Sequence, residues 1–211
     1  MKEKIVICGG GPHSKVVIDL LLSEDEYEVA GIVDRKVQSP FGLPWLGNDD
    51  MLEKLRDNGI SHAFVAIGSN TIREKITHLL KKLHYEIPNI IARDAVISSR
   101  CVLGSGVLIN HGAIVNAGAN IGDGVILNTG CSVDHDTIIG DYAHIAPGVH
   151  VSGSSKIGKR TFLGVGSCVK DVISIGDDVI IGAGAAVVKN IPSSCTAVGV
   201  PAKVIKTREA I

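Results

Sequence analysis

The sequence predicts a small parallel α/β unit followed by a parallel β-helix. Two observations carry this. From Ile97 to Val187 every sixth residue is a branched aliphatic, without a miss. Ahead of that ladder, apolar strand-like runs alternate with helical segments, and the first pair is joined by Gly9-Gly10-Gly11. A six-residue period is the signature of a coil built from short strands and corners, and strand–helix alternation reads as a parallel sheet.

The first strand is Lys4 to Cys8, the glycine turn follows, and Val16 to Leu22 has helical spacing. A second strand, Tyr27 to Val33, ends in Asp34-Arg35. Asp49 is expected to cap a helix through Leu55 that Gly59 ends. A third strand runs from His62 to Ile67 into Gly68-Ser69-Asn70, and the next helix starts near Thr71. This gives a βαβαβα half-domain, Rossmann-like in pattern, over residues 1–85, with the β-helix and its tail over 86–211.

In the ladder each unit supplies one strand and one corner, so three units close a triangular coil and residue i stacks on i+18. The first face reads Ile97, Val115, Val133, Val151, Val169, Val187; the second Leu103, Ile121, Ile139, Ile157, Ile175; the third Ile109, Leu127, Ile145, Leu163, Ile181. Two positions before each aliphatic stands mostly a small or β-branched residue. Before that comes glycine in many repeats, suited to a backbone that side chains resist.

Composition narrows the function. The chain has 211 residues and a net charge of −1, which gives no reason to expect nucleic acid or an anionic membrane as partner. Hydrophobic residues make up 45% but aromatics only 3%, as a core of β-branched ladders requires. No apolar run reaches membrane-spanning length, and Met1-Lys2-Glu3-Lys4 is expected to lead straight into a strand rather than to belong to a signal peptide. The five cysteines form no CxxC pair. A cytoplasmic protein with reduced thiols is expected.

Two places can carry chemistry. The glycine turn between strand and helix presents backbone N–H groups to an anion, and Asp34 lies where a ribose-binding acid belongs in dinucleotide folds. Ser14 replaces the third glycine of that fingerprint, and the unit is half a dinucleotide fold. A smaller phosphate-bearing ligand, such as a nucleotide-linked sugar, is therefore expected. In the ladder, His135 stands between Asp134 and Asp136, so a carboxylate can orient it as a base. Gly153, at i+18, leaves a backbone N–H beside it for a reacting carbonyl.

These features resemble the left-handed β-helix acyltransferases, and within them the bacterial sugar acetyltransferases of the PglD/NeuD type, over essentially the whole chain. The resemblance implies a left-handed coil and an acetyl-CoA-dependent N-acetyltransferase that needs no metal. Its substrate would be a UDP-linked 4-amino sugar of the bacillosamine type. It places the nucleotide at Gly11, His13, Asp34, Ile67 and Gly68, with Pro12 where the family usually has glycine. It matches the catalytic pair to His135-Asp136, with aspartate where the closest members have glutamate. A substrate-contacting asparagine matches Asn128, a second active-site histidine His144, and the glycine near the acetyl carbonyl Gly153. Gly164, Gly182, Ala183 and Lys203 fall in segments that resemble the coenzyme A groove, with Lys206 a further candidate for its phosphates. The resemblance also implies a homotrimer with active sites between subunits. The competing readings are O-acetylation of a sialic-acid-like sugar, a non-catalytic sugar-nucleotide-binding protein, and a zinc enzyme of the γ-carbonic-anhydrase type.

Overall fold

The computed structural model describes residues 2–24, 26–37 and 40–207; the last residues of the expected tail, 208–211, lie outside them. The chain divides into two compact units between Ile90 and Ile91. Reading the sequence put the boundary near Tyr85. The difference follows from Tyr85 and Glu86, which stay with the first unit. Tyr85 is buried and its hydroxyl donates to Leu52 O at 2.7 Å, and Glu86 bridges to His62.

The first unit contains β1 (Glu3–Cys8), α1 (Pro12–Glu24), β2 (Tyr27–Val33), β3 (Trp45–Gly47), α2 (Leu52–Asp57), β4 (His62–Val65) and α3 (Asn70–Lys82). The four strands lie parallel in the order β3-β2-β1-β4. Three strands were expected. The fourth, β3, is too short to show any periodicity, and it is held by Ile32 N–H donating to Pro44 O at 2.8 Å. Two other expectations are corrected. Asn48, not Asp49, caps the segment before α2, its side chain accepting from Asp50 N–H. Strand β4 stops at Val65, so Ile67 belongs to the turn that follows.

The sheet is covered on both faces, as the unbroken burial of Ile5 to Cys8 requires. Val6, Cys8, Ala63 and Val65 pack with Leu52, Ile76 and Leu80 in one apolar cluster. Chain order reverses between β1 and β4. This is the switch point at which open parallel sheets bind ligands, beyond the carboxyl ends of the strands.

The second unit is the left-handed parallel β-helix. Its two-residue strands form three sheets whose members follow the expected faces, with the i+18 register throughout. Val133 pairs with Val151, Ile139 with Ile157 and Ile145 with Leu163. The ladder residues point inward and are almost all fully buried. At about 1.5–3 kcal/mol gross per buried aliphatic, this column is the main apolar mass, offset largely by the entropy of ordering the chain. The third sheet also takes Ile90–Ile91 at one end, and Cys195–Val198 with the antiparallel Lys203–Thr207 at the other.

Corner geometry is as regular as the core. Every sixth residue from Gly106 to Gly184 is left-handed, with φ between 54° and 76°. Glycine fills this position in many repeats, but Asp136, Tyr142, Ser154, Arg160, Val172 and Asp178 adopt it too. Among the described residues no helix is long and apolar enough to cross a membrane.

Candidate active site

A cavity of about 510 Å³ opens at the switch point of the first unit. It is lined from the ends of β1, β2 and β4 and from both helix-starting turns. Gly11, His13, Asp34, Ile67 and Gly68, chosen from sequence, all line it. Arg35, Asp49 and Lys75 join them unforeseen.

The turn is built for close approach. A Cβ at Gly9 would lie 2.6 Å from the Ile67 side chain. Pro12 opens α1, where its missing N–H removes no helical bond. Asp34 ties the turn to β2, accepting from Gly10 N–H at 2.7 Å and Lys36 N–H at 3.0 Å. Its carboxylate is thus first a brace for the glycine turn, with lone pairs left for a ligand. Opposite, buried Arg73 donates to Ile67 O at 3.0 Å and Gly68 O at 3.2 Å. It holds the second rim, and only its place one turn into α3 could have marked it in the sequence. Burial, and then the Arg73 charge, hold the His13 pKa below the usual histidine range.

On the β-helix the remaining candidates fall into two groups. The corner between the first and second faces carries His135, Asp136 and Gly153. His135 Nδ1 lies 2.9 Å from Asp136 Oδ2, and both side chains are open to solvent. That hydrogen bond, and then the Asp134 charge, raise the His135 pKa. A Cβ at Gly153 would sit 2.6 Å from His135 Nε2, so glycine there makes room for the ring. The Gly153 N–H has no acceptor among the described residues. One coil the other way, a Cβ at Gly118 would lie 2.5 Å from Asp136 Oδ1. Its offset of 18 from Asp136 is the signal that marks Gly118 in the sequence.

The corner between the third and first faces carries Asn128, Gly164, Gly182 and Ala183, beside His144 on the third face. Asn128, Ala146, Gly164 and Gly182 form one i+18 column, and Lys203 pairs with Val198 at its end. Cβ atoms at Gly164 and Gly182 would meet Ile181 O at 2.6 Å and the Val198 side chain at 2.7 Å. Both glycines therefore serve coil stacking as well as any groove. Asn128 Nδ2 reaches His144 Nε2 at 3.2 Å, and the His144 ring meets Phe162 edge-on. One chain thus holds the proposed base and the proposed coenzyme A column on different edges of its prism. Among the described residues no three His, Cys, Asp or Glu side chains cluster as a metal site.

Residues 4–80 match the PglD N-terminal domain family, and residues 118–153 the bacterial transferase hexapeptide (six repeats) family. PerB from Caulobacter crescentus, solved with CoA and GDP-perosamine, is 42% identical, with 96% of this chain and 97% of that one covered and a TM-score of 0.94. The acetyltransferase domain of PglB from Neisseria gonorrhoeae FA1090, solved with acetyl coenzyme A, is 35% identical, with 97% and 100% covered and a TM-score of 0.93. The UDP-N-acetylbacillosamine N-acetyltransferase of Bacillus subtilis (strain 168) is 33% identical over 110 residues. That stretch is 51% of each chain, about half the length of the curated relative.

Proposed function

Because this chain belongs to the PglD-type sugar N-acetyltransferases, we propose that it transfers the acetyl group of acetyl-CoA to the amino group of a nucleotide-linked 4-amino sugar. The observation that carries the reading is His135, oriented by Asp136 at 2.9 Å and presenting Nε2 over Gly153. His135 Nε2 takes the amine proton as the nitrogen attacks the thioester carbonyl carbon. The Gly153 N–H donates to the oxyanion that forms. The carbon–sulfur bond then breaks, and the coenzyme A thiolate leaves and is protonated.

The N-terminal cavity would hold the nucleotide, its phosphates against the glycine turn and the start of α1. Gly164, Gly182, Ala183 and Lys203 would face coenzyme A. Because these lie on a different edge from His135, the complete site would form between copies of the chain in a homotrimer. The first reading of the substrate is a UDP-linked 4-amino-4,6-dideoxy sugar of the bacillosamine type. A GDP-linked amino sugar is the second, favoured by the GDP-perosamine bound in a relative 42% identical over nearly the whole chain.

The test is release of coenzyme A thiol from acetyl-CoA with UDP- and GDP-linked 4-amino sugars and with free and CMP-linked sialic acid. Turnover with an amino sugar that falls by about 10²–10⁴ in His135→Ala is expected. Activity surviving that substitution would sink the proposed base. Turnover confined to sialic acid would move the protein to O-acetylation.

A further inference from the structure

We propose that Asn110 is a positioning residue that holds His144 as a neutral imidazole with its proton on Nδ1, through a relay of two side-chain amides. Its bearing on acetyl transfer rests on the reading above; the tautomer does not.

The argument is one of forced donors. Asn110, only 1% exposed, accepts the His111 N–H on Oδ1 at 2.9 Å. A backbone N–H can only donate, so the Asn110 amide is fixed with Nδ2 turned toward the next coil. That Nδ2 donates to Asn128 Oδ1 at 3.1 Å and to Thr129 Oγ1 at 3.1 Å. Asn128 Oδ1 also takes the Thr129 N–H at 2.9 Å. Two donors therefore settle the Asn128 amide as well, and its Nδ2 faces His144 Nε2 at 3.2 Å. An amide nitrogen cannot accept, so His144 Nε2 must. Nε2 then carries no proton and Nδ1 does. Protonating Nε2 would set two N–H groups against each other at that distance. Phe162 packs against the ring edge-on, with centroids 5.1 Å apart and planes at 89°.

The two ladder histidines thereby differ in kind. His135 leans on a carboxylate and is open to solvent, the setting of a base. His144 leans on an amide and is buried, the setting of a ring fixed in one orientation and one tautomer. The relay starts one coil away, at a residue offset by 18 from Asn128.

Nitrogen-15 correlation spectra of the imidazoles in the full-length protein test this, with the His144 signals identified by their loss in His144→Gln. The wild type should show a protonated Nδ1 and a bare Nε2. Asn110→Asp keeps the size and the acceptor for His111 N–H but cannot donate to Asn128. The Asn128 amide, then facing a carboxylate on one side and the Thr129 N–H on the other, should lose its single orientation, and His144 should gain the tautomer with its proton on Nε2. The kcat should fall about tenfold, the scale of one misdirected hydrogen bond, while KM for the nucleotide sugar holds. A purely structural role would lower the thermal midpoint and leave the tautomer alone. If Asn110→Asp does not fold, Asn128→Asp serves instead, since its carboxylate demands a proton on Nε2. A wild-type His144 protonated on Nε2, or a pattern unmoved by either variant, overturns the relay. The expected nitrogen pattern in a protein without acetyl transfer would leave the relay standing and overturn the enzymatic reading.

Discussion

His135 and Asp136 are held by empty space as much as by contact. Their side chains lie over Gly153 and Gly118, where an added methyl would come within about 2.5–2.6 Å. Gly153→Ala and Gly118→Ala should each lower kcat by about 10²-fold, the effect expected of a catalytic group displaced by an ångström. Nucleotide binding, read by thermal shift, should be retained. The pH profile gives a second test. The hydrogen bond that His135 donates to Asp136 is the largest cause of the raised His135 pKa. A base must be neutral, so the rate should climb as pH rises through that raised value. Asp136→Asn should move the climbing limb to lower pH while reducing the maximal rate; a limb that stays in place would detach His135 from the rate. The pairing of His135 with Asp136 in this candidate site was legible because Asp-His-Asp is conspicuous. The amide relay was not, since Asn110 and Asn128 become neighbours only through the coil.

At the scale of the element, the corner is where the repeat carries strain. Val172 is 69% exposed yet held at φ 59°, a conformation a β-branched residue resists. Val172→Gly should stabilise the β-helix by about 1 kcal/mol, seen as a higher denaturant midpoint. In the core the sign reverses: Leu163→Ala should destabilise by about 2–5 kcal/mol. The ladder could be read from sequence because one aliphatic per strand dictates it. The left-handed corners at Tyr142 and Val172 could not, because propensity argues against them and the coil overrides it. In the first unit, β1, β2, β4 and the switch-point residues were legible from apolar runs and glycine. Three-residue β3 and the Asn48 cap were not, since packing alone makes a strand of Trp45–Gly47.

At the scale of the whole molecule, His135 and the column from Asn128 to Lys203 occupy different edges of one prism. If sites form between copies, two inactive variants should rescue each other. Refolding His135→Ala together with Gly164→Trp in equal amounts should return about a quarter of wild-type activity, the share of interfaces that random assortment makes intact. No recovery would place the whole site within a single chain.

The six-residue unit gives the prism something like a reading frame. Inserting eighteen residues adds a turn and leaves every later side chain on its own edge. Inserting six would satisfy the aliphatic ladder equally well, and every inward contact could re-form. Yet all the residues beyond the insertion would move round by one edge, carrying Gly164, Gly182 and Lys203 away from the column that begins at Asn128. The core cannot detect such a frameshift; only the chemistry can. If that column binds coenzyme A, the number of residues between Asn128 and Gly164 is a functional quantity in its own right, and a six-residue insertion there should yield a stable, well-folded protein without acetyl transfer.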